Sequence, residues 1–393
     1  MPKGIADRVA IIGMGCTKFG EHWDKSADDL LLEATYEALN DAGIAPDDVD
    51  AYWLGTLTSG NSGLTFSVPM KSDYKPVTRV ENYCATGSEA FRNACYAVAS
   101  GAYDVVVAVG VEKLKDSGYS GLVVGGADSD GTEPNMTAPA AFSFLAPAYF
   151  KKYGLDPKTG KEVLARIAWK NHRNGALNPK AQYQTEVPME KIIQSPMIAA
   201  PLGVFDCSGV SDGAAAAVIV RAEDAKKYRP DPVYVKALSV VAGYGHGRLH
   251  QDYDFTTIRE NVAAAADAYK QAGITNPRKE IDLAEVHDCF TPTELVIYED
   301  LGFSERGEGW RDVMNGVFDI GGELPVNPDG GLKSFGHPIG ASGLRMLYEL
   351  WLQFHGKAGK RQHDNPKLGL THNLGGFPWQ AVCAVTIVGK ELG

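Results

Sequence analysis

The stretch VENYCATGSEAFRNACYAVASG, residues 80–101, places a cysteine at the junction between a loop and a helix. Helical periodicity begins just after Cys84, and the residues in between, Ala-Thr-Gly-Ser, are all small. The partial positive charge of a helix N-terminus lowers the pKa of a nearby thiol and favours thiolate near neutral pH. Small neighbours would also let a carbonyl carbon approach the sulfur. We therefore predict that Cys84 is a nucleophile, although most free cysteines are simply small buried apolar residues.

The elements around this stretch recur in the second half of the chain. The first half is predicted to contain strands at 8–15, 49–59 and 103–113 and helices at 27–43 and after Cys84. The second half is predicted to contain strands at 231–245, 281–292, 366–376 and 380–388 and helices at 261–273 and 336–351. A repeat of roughly 200 residues indicates a duplicated domain. Alternating strands and helices favour an α/β fold with mixed or parallel sheets covered by helices.

Composition excludes several classes of function. The chain has 393 residues, 44% of them apolar, and a net charge of −11, so general binding to nucleic acid or to anionic membranes is not expected. Its six cysteines are scattered without a CxxC pair, which argues against zinc and for reduced thiols in the cytoplasm. Neither a signal peptide nor a run of roughly 18 apolar residues is found.

The region from 117 to 201 has no counterpart in the second half and is predicted to be an inserted loop domain. It separates an N-terminal half (1–116 with 202–228) from a C-terminal half (229–393). Long insertions usually carry function. This one gathers five basic residues, Lys151, Lys152, Lys170, Arg173 and Lys180. They are interpreted either as a collar for a phosphorylated ligand or as an ordinary solvated surface.

Three further stretches should meet Cys84 if equivalent strand ends converge about a pseudo-twofold axis. His337, in GHPIGASG, could take the thiol proton. His287 and Cys289, in HDCF, follow a buried strand, where sites on such sheets gather. Asp288 between them would orient a histidine or cap the next helix. In HNLGG, Gly375 could offer a backbone N–H to an oxyanion, or the two glycines could form a plain tight turn.

Taken together, these motifs resemble the thiolase superfamily over nearly the whole chain. GHPIGASG resembles the family's GHPxGxSG loop, and YCATGSEA resembles its nucleophile loop. HDCF stands where many thiolases have Asn-Glu-Ala-Phe, and Asn373-Leu374-Gly375 stands where they have Cys-x-Gly. Both departures are similar to the sterol-carrier-type thiolases and their archaeal and bacterial relatives. The resemblance implies a duplicated fold of five layers, α-β-α-β-α, with the inserted loop domain.

The resemblance also implies roles for these residues. Cys84 would be the nucleophile, Cys289 the acid and base, and His337 and His287 would bind the thioester oxygen. The N–H groups of Cys84 and Gly375 would form a second oxyanion hole. Coenzyme A would be a substrate, its candidate contacts are Lys170, Arg173 and Ser334, and no metal is expected. A homodimer is implied, and a separate zinc-ribbon/OB-fold subunit is a candidate partner.

The implied reaction is CoA-dependent cleavage of a 3-oxoacyl-CoA through an acyl-Cys84 intermediate, or the reverse Claisen condensation. The acyl group is left open between acetoacetyl and a larger or aromatic chain. SGYSGLVVGG and APAAFSFLAPAYF, in the insertion, favour an enlarged apolar pocket. One alternative is a condensing enzyme such as a ketoacyl synthase or hydroxymethylglutaryl-CoA synthase. Another is a non-catalytic scaffold that binds acyl-CoA or lipid.

Overall fold

The computed structural model describes residues 4–116, 123–124 and 136–393. Its strands are β1 (Val9–Cys16), β2 (Ala51–Gly55), β3 (Val77–Val80), β4 (Val105–Glu112), β5 (Val123–Val124), β6 (Met136–Thr137), β7 (Met197–Ala199), β8 (Leu202–Gly203), β9 (Gly213–Arg221), β10 (Val233–Ala242), β11 (Leu283–Glu285), β12 (Leu368–Phe377) and β13 (Gln380–Gly389). Its helices are α1 (Ala27–Ala42), α2 (Leu64–Met70), α3 (Thr86–Ala99), α4 (Ala138–Ser143), α5 (Leu145–Tyr153), α6 (Pro157–Gly175), α7 (Met189–Ile193), α8 (Ala225–Tyr228), α9 (His246–Leu249), α10 (Arg259–Ala272), α11 (Pro277–Glu280), α12 (Thr291–Asp300), α13 (Gly309–Met314), α14 (Gly331–Ser334) and α15 (Ser342–Phe354).

Nine strands form one mixed sheet in the order β11-β12-β13-β10-β1-β9-β4-β2-β3. From the centre outward, the first half runs β1-β9-β4-β2-β3 and the second half runs β10-β13-β12-β11. In the first half, β9 and β4 are antiparallel and β4 and β2 are parallel. In the second half, β13 and β12 are antiparallel and β12 and β11 are parallel. The counterpart of β3 is reduced to a single bridge between Ala284 and Val326. This matching order confirms the predicted duplication.

The two halves meet at a short ladder. Strands β1 and β10 run antiparallel and pair at Ala10–Tyr234 and Ile11–Val233. Helices α3 and α15 pack against each other and against strands of both halves, so they form a central layer. On the outside, α1 covers β1 and β9, and α10 covers β10 and β13. These contacts produce the five expected layers. An outer helix, the strands of the first half, the paired helices α3 and α15, the strands of the second half and a second outer helix follow one another.

The ends of the outer helices follow from local sequence. Ser26 caps α1 in a reciprocal capping box with Asp29. Gly43 and Gly273 end α1 and α10 in the left-handed conformation, with φ of 71° and 73°, which glycine adopts without a steric penalty. The helices predicted at 27–43 and 261–273 are therefore confirmed to within two residues.

Two predicted strands are much shorter than expected. β2 has five residues and β11 has three, although the patterns at 49–59 and 281–292 extend further. After β2 the backbone N–H groups of Leu57, Thr58 and Ser59 turn to the carboxylate of Glu112 instead of a neighbouring strand. The alanine-rich strand β9 was not predicted. It pairs with β1 and β4 and so lies within the first half.

The described part of the insertion is helical and packs against the second half. α6 contacts α12, α13 and α14, and α4 and α5 also contact α12. The stretch SGYSGLVVGG lies almost wholly outside the described residues. No helix among the residues that the structure describes is long and apolar enough to cross a membrane.

Candidate active site

Cys84 lies in the loop between β3 and α3, two residues before the helix begins. The preceding residue, Tyr83, adopts a φ of 50°, a backbone conformation that is rare outside glycine. The hydroxyl of Thr86 holds this turn, because it accepts the N–H of Asn82 at 2.8 Å and donates to the carbonyl of Tyr83 at 2.5 Å. Cys84 is 6% exposed. The turn therefore fixes the sulfur in a buried position at the mouth of the helix.

The electrostatic expectation for Cys84 is wrong for the resting protein. Burial, followed by the charge of Glu112, raises the pKa of the Cys84 thiol to about 12. The helix N-terminus does not offset the loss of solvation, because the sulfur packs among Leu114 and Ile339. The resting sulfur is therefore a neutral thiol that needs a base.

His337 provides a nitrogen for that purpose. Its Nδ1 lies 2.7 Å from the hydroxyl of Ser342, and its backbone N–H donates to Ser211 at 3.0 Å. Its Nε2 is buried and has no hydrogen-bond partner among the described residues. Burial, helped by the charge of Arg345, lowers the pKa of His337 to about 3, so the free ring is neutral.

His287 follows β11 and faces His337. Its Nδ1 lies 3.1 Å from the side-chain nitrogen of Asn373, and its ring centroid lies 5.3 Å from that of His337. Burial, then the charges of His337 and His372, lower its pKa well below the usual range. The Cys84 sulfur and one ring nitrogen of each histidine all lie within 4.8 Å of one another. The structure therefore brings together the three residues that sequence reasoning selected from separate motifs.

Cys289 follows His287 by two residues. Its thiol is buried and lies 3.9 Å from the hydroxyl of Thr293. Burial raises its pKa well above the usual range, and the charge of a Cys84 thiolate raises it further. Cys289 is therefore close enough to respond to the state of the nucleophile, and it is protonated at neutral pH.

Gly375 lies within β12, not in a tight turn after it, because the strand continues to Phe377. A Cβ on Gly375 would stand 2.4 Å from the carbonyl oxygen of Asn82 and 3.1 Å from the nitrogen of Ala85. Only glycine lets β12 approach the nucleophile loop this closely. The role of its N–H in an oxyanion hole stays a prediction.

Asp288 acts as a cap, but not of the next helix along the chain. Its carboxylate accepts the N–H of Leu332 at 2.6 Å and of Lys333 at 3.1 Å, at the start of α14. Burial raises its pKa to about 7. It thus ties the HDCF stretch to the segment that leads into the GHP loop.

The small residues near Cys84 serve the contact between the two halves. A Cβ on Gly87 would stand 2.8 Å from the carbonyl of Gly340, and a Cβ on Gly343 would stand 2.3 Å from the hydroxyl of Ser88. The backbone of the GHP loop therefore lies directly against α3.

Glu112 was missed by the sequence analysis. It ends β4, is fully buried, and accepts N–H groups from the loop after β2 and from Gly340 at 2.9 Å. The available signal was a carboxylate at the end of an otherwise apolar strand, VVVAVGVE. It links the loop beside Cys84 to the loop that carries His337.

Of the two interpretations of the basic residues in the insertion, the structure favours an ordinary, ion-paired surface over a collar. The five basic residues are spread over the insertion, and three of them pair with carboxylates on other elements: Lys152 with Asp254, Lys170 with Glu294, and Lys180 with Glu37. The described part of the insertion therefore carries no concentrated positive patch from these residues.

Two of the candidate CoA contacts already have buried protein partners. The ammonium of Lys170 is buried and donates to Glu294 and to the carbonyl of Val326, both at 2.7 Å. The hydroxyl of Ser334 is buried and donates to the carbonyl of Tyr183 at 2.8 Å. Neither can contact a phosphate at the surface. Arg173 is exposed and stacks on Trp169, and its contact with CoA stays a prediction.

Aromatic side chains extend outward from the active site. Phe290, next to Cys289, packs on Phe142 of the insertion, with ring centroids 4.9 Å apart. From there, ring contacts continue through Phe377 and Trp379 to the half-exposed Phe144, whose centroid lies 6.5 Å from that of Trp379. The stretch APAAFSFLAPAYF thus contributes to an apolar aromatic wall beside the catalytic groups.

Two groups of side chains have the donor types of a metal site within the described ranges. One is the group of Cys84, His287 and His337, and the other comprises His246, His250 and Asp252 on the surface. The first is the cluster described above. In the second, the His246 ring is already hydrogen bonded to Tyr244 and to Asp252.

Comparison with known proteins identifies relatives along the whole chain. Residues 9–223 match the family described as Thiolase, N-terminal domain, and residues 242–388 match Thiolase C-terminal domain-like. An acetyl-CoA acetyltransferase of Methanothermobacter thermautotrophicus is 41% identical over 376 residues, which cover 94% of this chain and 96% of the relative. Human sterol carrier protein 2 is 34% identical over 94% of this chain and 70% of that protein.

Solved structures show the same fold. The Ltp2-ChsH2(DUF35) aldolase superposes with a TM-score of 0.83 and 28% identity over 98% of each chain. Human mitochondrial 3-ketoacyl-CoA thiolase superposes with a TM-score of 0.71 and 18% identity, covering 98% of this chain and 99% of that chain.

Proposed function

The chain belongs to the thiolase superfamily and is an acyltransferase with thiolase activity, and we propose how its residues divide the reaction and which acyl-CoA it uses. The observation that carries the proposal is the meeting of Cys84, His287 and His337 within 4.8 Å. A thiol, a ring nitrogen without a partner, and a second imidazole suffice for acyl transfer to sulfur.

In the first half-reaction, the free Nε2 of His337 takes the proton of Cys84 as the sulfur attacks the 3-keto carbon. The resulting alkoxide is held by the backbone N–H groups of Cys84 and Gly375. It collapses, the bond between C2 and C3 breaks, and the electron pair passes to the thioester as an enolate. His287 donates to the enolate oxygen, and the Cys289 thiol gives its proton to C2. Acetyl-CoA (or a larger acyl-CoA) leaves, and the shortened acyl group stays on Cys84.

In the second half-reaction, the Cys289 thiolate takes the proton of a new CoA thiol. The CoA sulfur attacks the acyl carbon, and the C–S bond to Cys84 breaks. His337 returns its proton to the departing Cys84 sulfur, so every group regains its starting state. The depressed pKa of His337 makes it a strong proton donor at this point.

We propose a 3-oxoacyl-CoA with a bulky or aromatic acyl chain as the substrate. The aromatic contacts from Phe290 through Phe142 and Trp379 to Phe144 support this choice, because they extend an apolar cluster from the neighbour of Cys289 toward the surface. Acetoacetyl-CoA is the second candidate, and it is favoured by the 41% identity to an acetyl-CoA acetyltransferase.

The proposed assembly is a homodimer through β3, with a further subunit as an additional partner. β3 is an edge strand, and the exposed apolar residues Leu64, Val68 and Tyr83 lie close to it in the chain. Similarity to an aldolase whose description includes a DUF35 component supports a second subunit, and we propose a zinc-ribbon/OB-fold protein. All six cysteines are unpaired thiols, which supports a reducing, cytoplasmic setting.

A screen of 3-oxoacyl-CoAs tests the function. Wild type, Cys84→Ala and, as a matched control, Cys207→Ala are assayed for CoA-dependent cleavage, and the acyl-enzyme is sought by intact mass. We expect turnover and an acyl adduct in wild type and Cys207→Ala and neither in Cys84→Ala. Condensation without CoA-dependent cleavage would indicate a synthase. No adduct with any substrate would indicate a binding scaffold.

A further inference from the structure

We propose that Asn373 and Ser342 set opposite tautomers on the two catalytic histidines, so that His287 donates from Nε2 and His337 accepts at Nε2. Asn373 is thus a positioning residue that acts through His287. This inference rests on the proposed function, which needs one imidazole as a hydrogen-bond donor and the other as a base.

The hydroxyl of Ser342 determines the tautomer of His337. That hydroxyl donates its single proton to the carbonyl of Pro338 at 2.9 Å. Toward the Nδ1 of His337, 2.7 Å away, it can therefore only accept. The proton of the neutral ring must then lie on Nδ1, and the lone pair lies on the buried Nε2 that has no partner among the described residues.

Asn373 imposes the opposite tautomer on His287. The hydroxyl of Ser88 donates to the side-chain oxygen of Asn373 at 3.2 Å. This fixes the amide so that its NH₂ faces the Nδ1 of His287, at 3.1 Å. An NH₂ group has no lone pair to offer, so Nδ1 must accept, and the ring proton lies on Nε2.

The reverse orientation of the amide is disfavoured on two counts. It would leave the proton of the buried Ser88 hydroxyl without its acceptor, and a buried donor without a partner is destabilising. It would also place lone pairs on the Nε2 atoms of both histidines, so that neither side chain could donate to an oxyanion. One amide thus separates the two imidazoles into a donor and a base.

Long-range proton–nitrogen NMR on histidine-labelled protein reads the tautomers directly. The two rings are assigned by loss of their signals in His287→Asn and His337→Asn. We expect an Nε2–H ring for His287 and an Nδ1–H ring for His337. The same tautomer on both rings would overturn the proposal. Because this measurement needs no turnover, it separates failure of the proposal from failure of the thiolase function.

Asn373→Asp and Asn373→Ala test the consequence for activity. The new carboxylate has the same shape but can only accept, so it draws the His287 proton to Nδ1 and removes the Nε2–H. Loss of one oxyanion donor costs about 10²- to 10³-fold in kcat. Asn373→Ala removes the constraint without imposing the wrong tautomer, so we expect a smaller loss, about tenfold or less. A structural role alone would make alanine the worse variant.

The pH profile gives a second signature. A carboxylate beside His287 raises the pKa of that ring, and below this pKa the imidazolium carries both N–H groups, including Nε2–H. The activity of Asn373→Asp should therefore recover toward wild type as the pH falls, and be lost as it rises. A parallel profile for both proteins would contradict the proposal.

Asn261→Asp is the matched control. Asn261 is also buried beside a histidine, and its oxygen already accepts the His372 Nε2–H at 3.0 Å, so a carboxylate there preserves the tautomer. Its NH₂ donates to Asp300 at 3.0 Å, and the new acid can share a proton with that carboxylate, because burial raises the pKa of Asp300 to about 6. We expect kcat within about threefold of wild type and an unchanged pH profile. A loss of kcat equal to that of Asn373→Asp would mean that a buried acidic side chain, and not the tautomer of His287, causes the effect. That result would overturn the proposed role of Asn373.

Discussion

Alkylation of Cys84 by iodoacetamide tests whether the resting sulfur is a neutral thiol. Burial and Glu112 raise its pKa from 9.0 to about 12. At neutral pH the thiolate population is then about 1,000-fold smaller than that of an unperturbed thiol, which corresponds to about 4 kcal/mol. Because iodoacetamide reacts with the thiolate, we expect slow alkylation whose rate rises about tenfold per pH unit from pH 6 to pH 9.

The assay follows the modified fraction of the intact protein by mass at each pH, with Cys84→Ala as the background. Cys207 is the most exposed of the remaining cysteines, and burial raises its pKa to about 11, so Cys207→Ala measures its contribution. Acylation by the substrate should not show the same steep rise with pH, because His337 removes the proton during attack.

Fast alkylation that reaches a plateau below about pH 7 would refute the claim that the resting Cys84 sulfur is a neutral thiol. That result would mean that a thiolate–imidazolium pair between Cys84 and His337 exists before substrate binds. The loss of solvation would then be outweighed by the helix N-terminus and by ion pairing. His337→Ala distinguishes the cases, since it should leave slow alkylation unchanged but abolish the plateau.

Three further results are expected. Cys289→Ala should form the acyl-enzyme but lose turnover in a CoA-dependent assay, and full turnover would remove this thiol from the proton path. Gly375→Ala should lower the free energy of unfolding by about 1–3 kcal/mol in urea, because the new Cβ would stand 2.4 Å from the carbonyl of Asn82; unchanged stability would contradict the observed approach. Lys170→Met should lower the free energy of unfolding by about 3–5 kcal/mol, because it leaves the buried Glu294 carboxylate without its ammonium partner. The KM for CoA should not change. A raised KM with unchanged stability would instead support Lys170 as a CoA contact.

Much of the site could be predicted from motifs, because each motif carries a reactive side chain at a defined position relative to the helices and strands of the repeated unit. Cys84 and His337 occupy equivalent positions, before α3 and before α15, in the two halves. Once the repeat is recognised, their convergence follows from the pairing of those helices. His287 and Cys289 follow β11, an edge strand that runs parallel to β12.

Electrostatic roles could not be predicted in this way. The pKa of Cys84 depends on how much water the folded chain removes, and burial outweighs the helix N-terminus that the local sequence offers. The function of Lys170 depends on Glu294, which lies 124 positions away. Three of the five basic residues that are close in sequence, Lys152, Lys170 and Lys180, form ion pairs with carboxylates in three different parts of the chain.

The sequence by itself determined the duplicated α/β fold, the ends of its outer helices and the chemical groups of the site. Periodicity, capping residues and short motifs are local, and a repeated order of elements can pack in few ways. Only the tertiary structure decided which groups contact the two histidines and which charges are exposed. Those properties depend on contacts such as Asn373 with His287, which join residues 86 positions apart. Hydrogen bonding and solvation are set by neighbours in space, and the order of residues along the chain does not specify them.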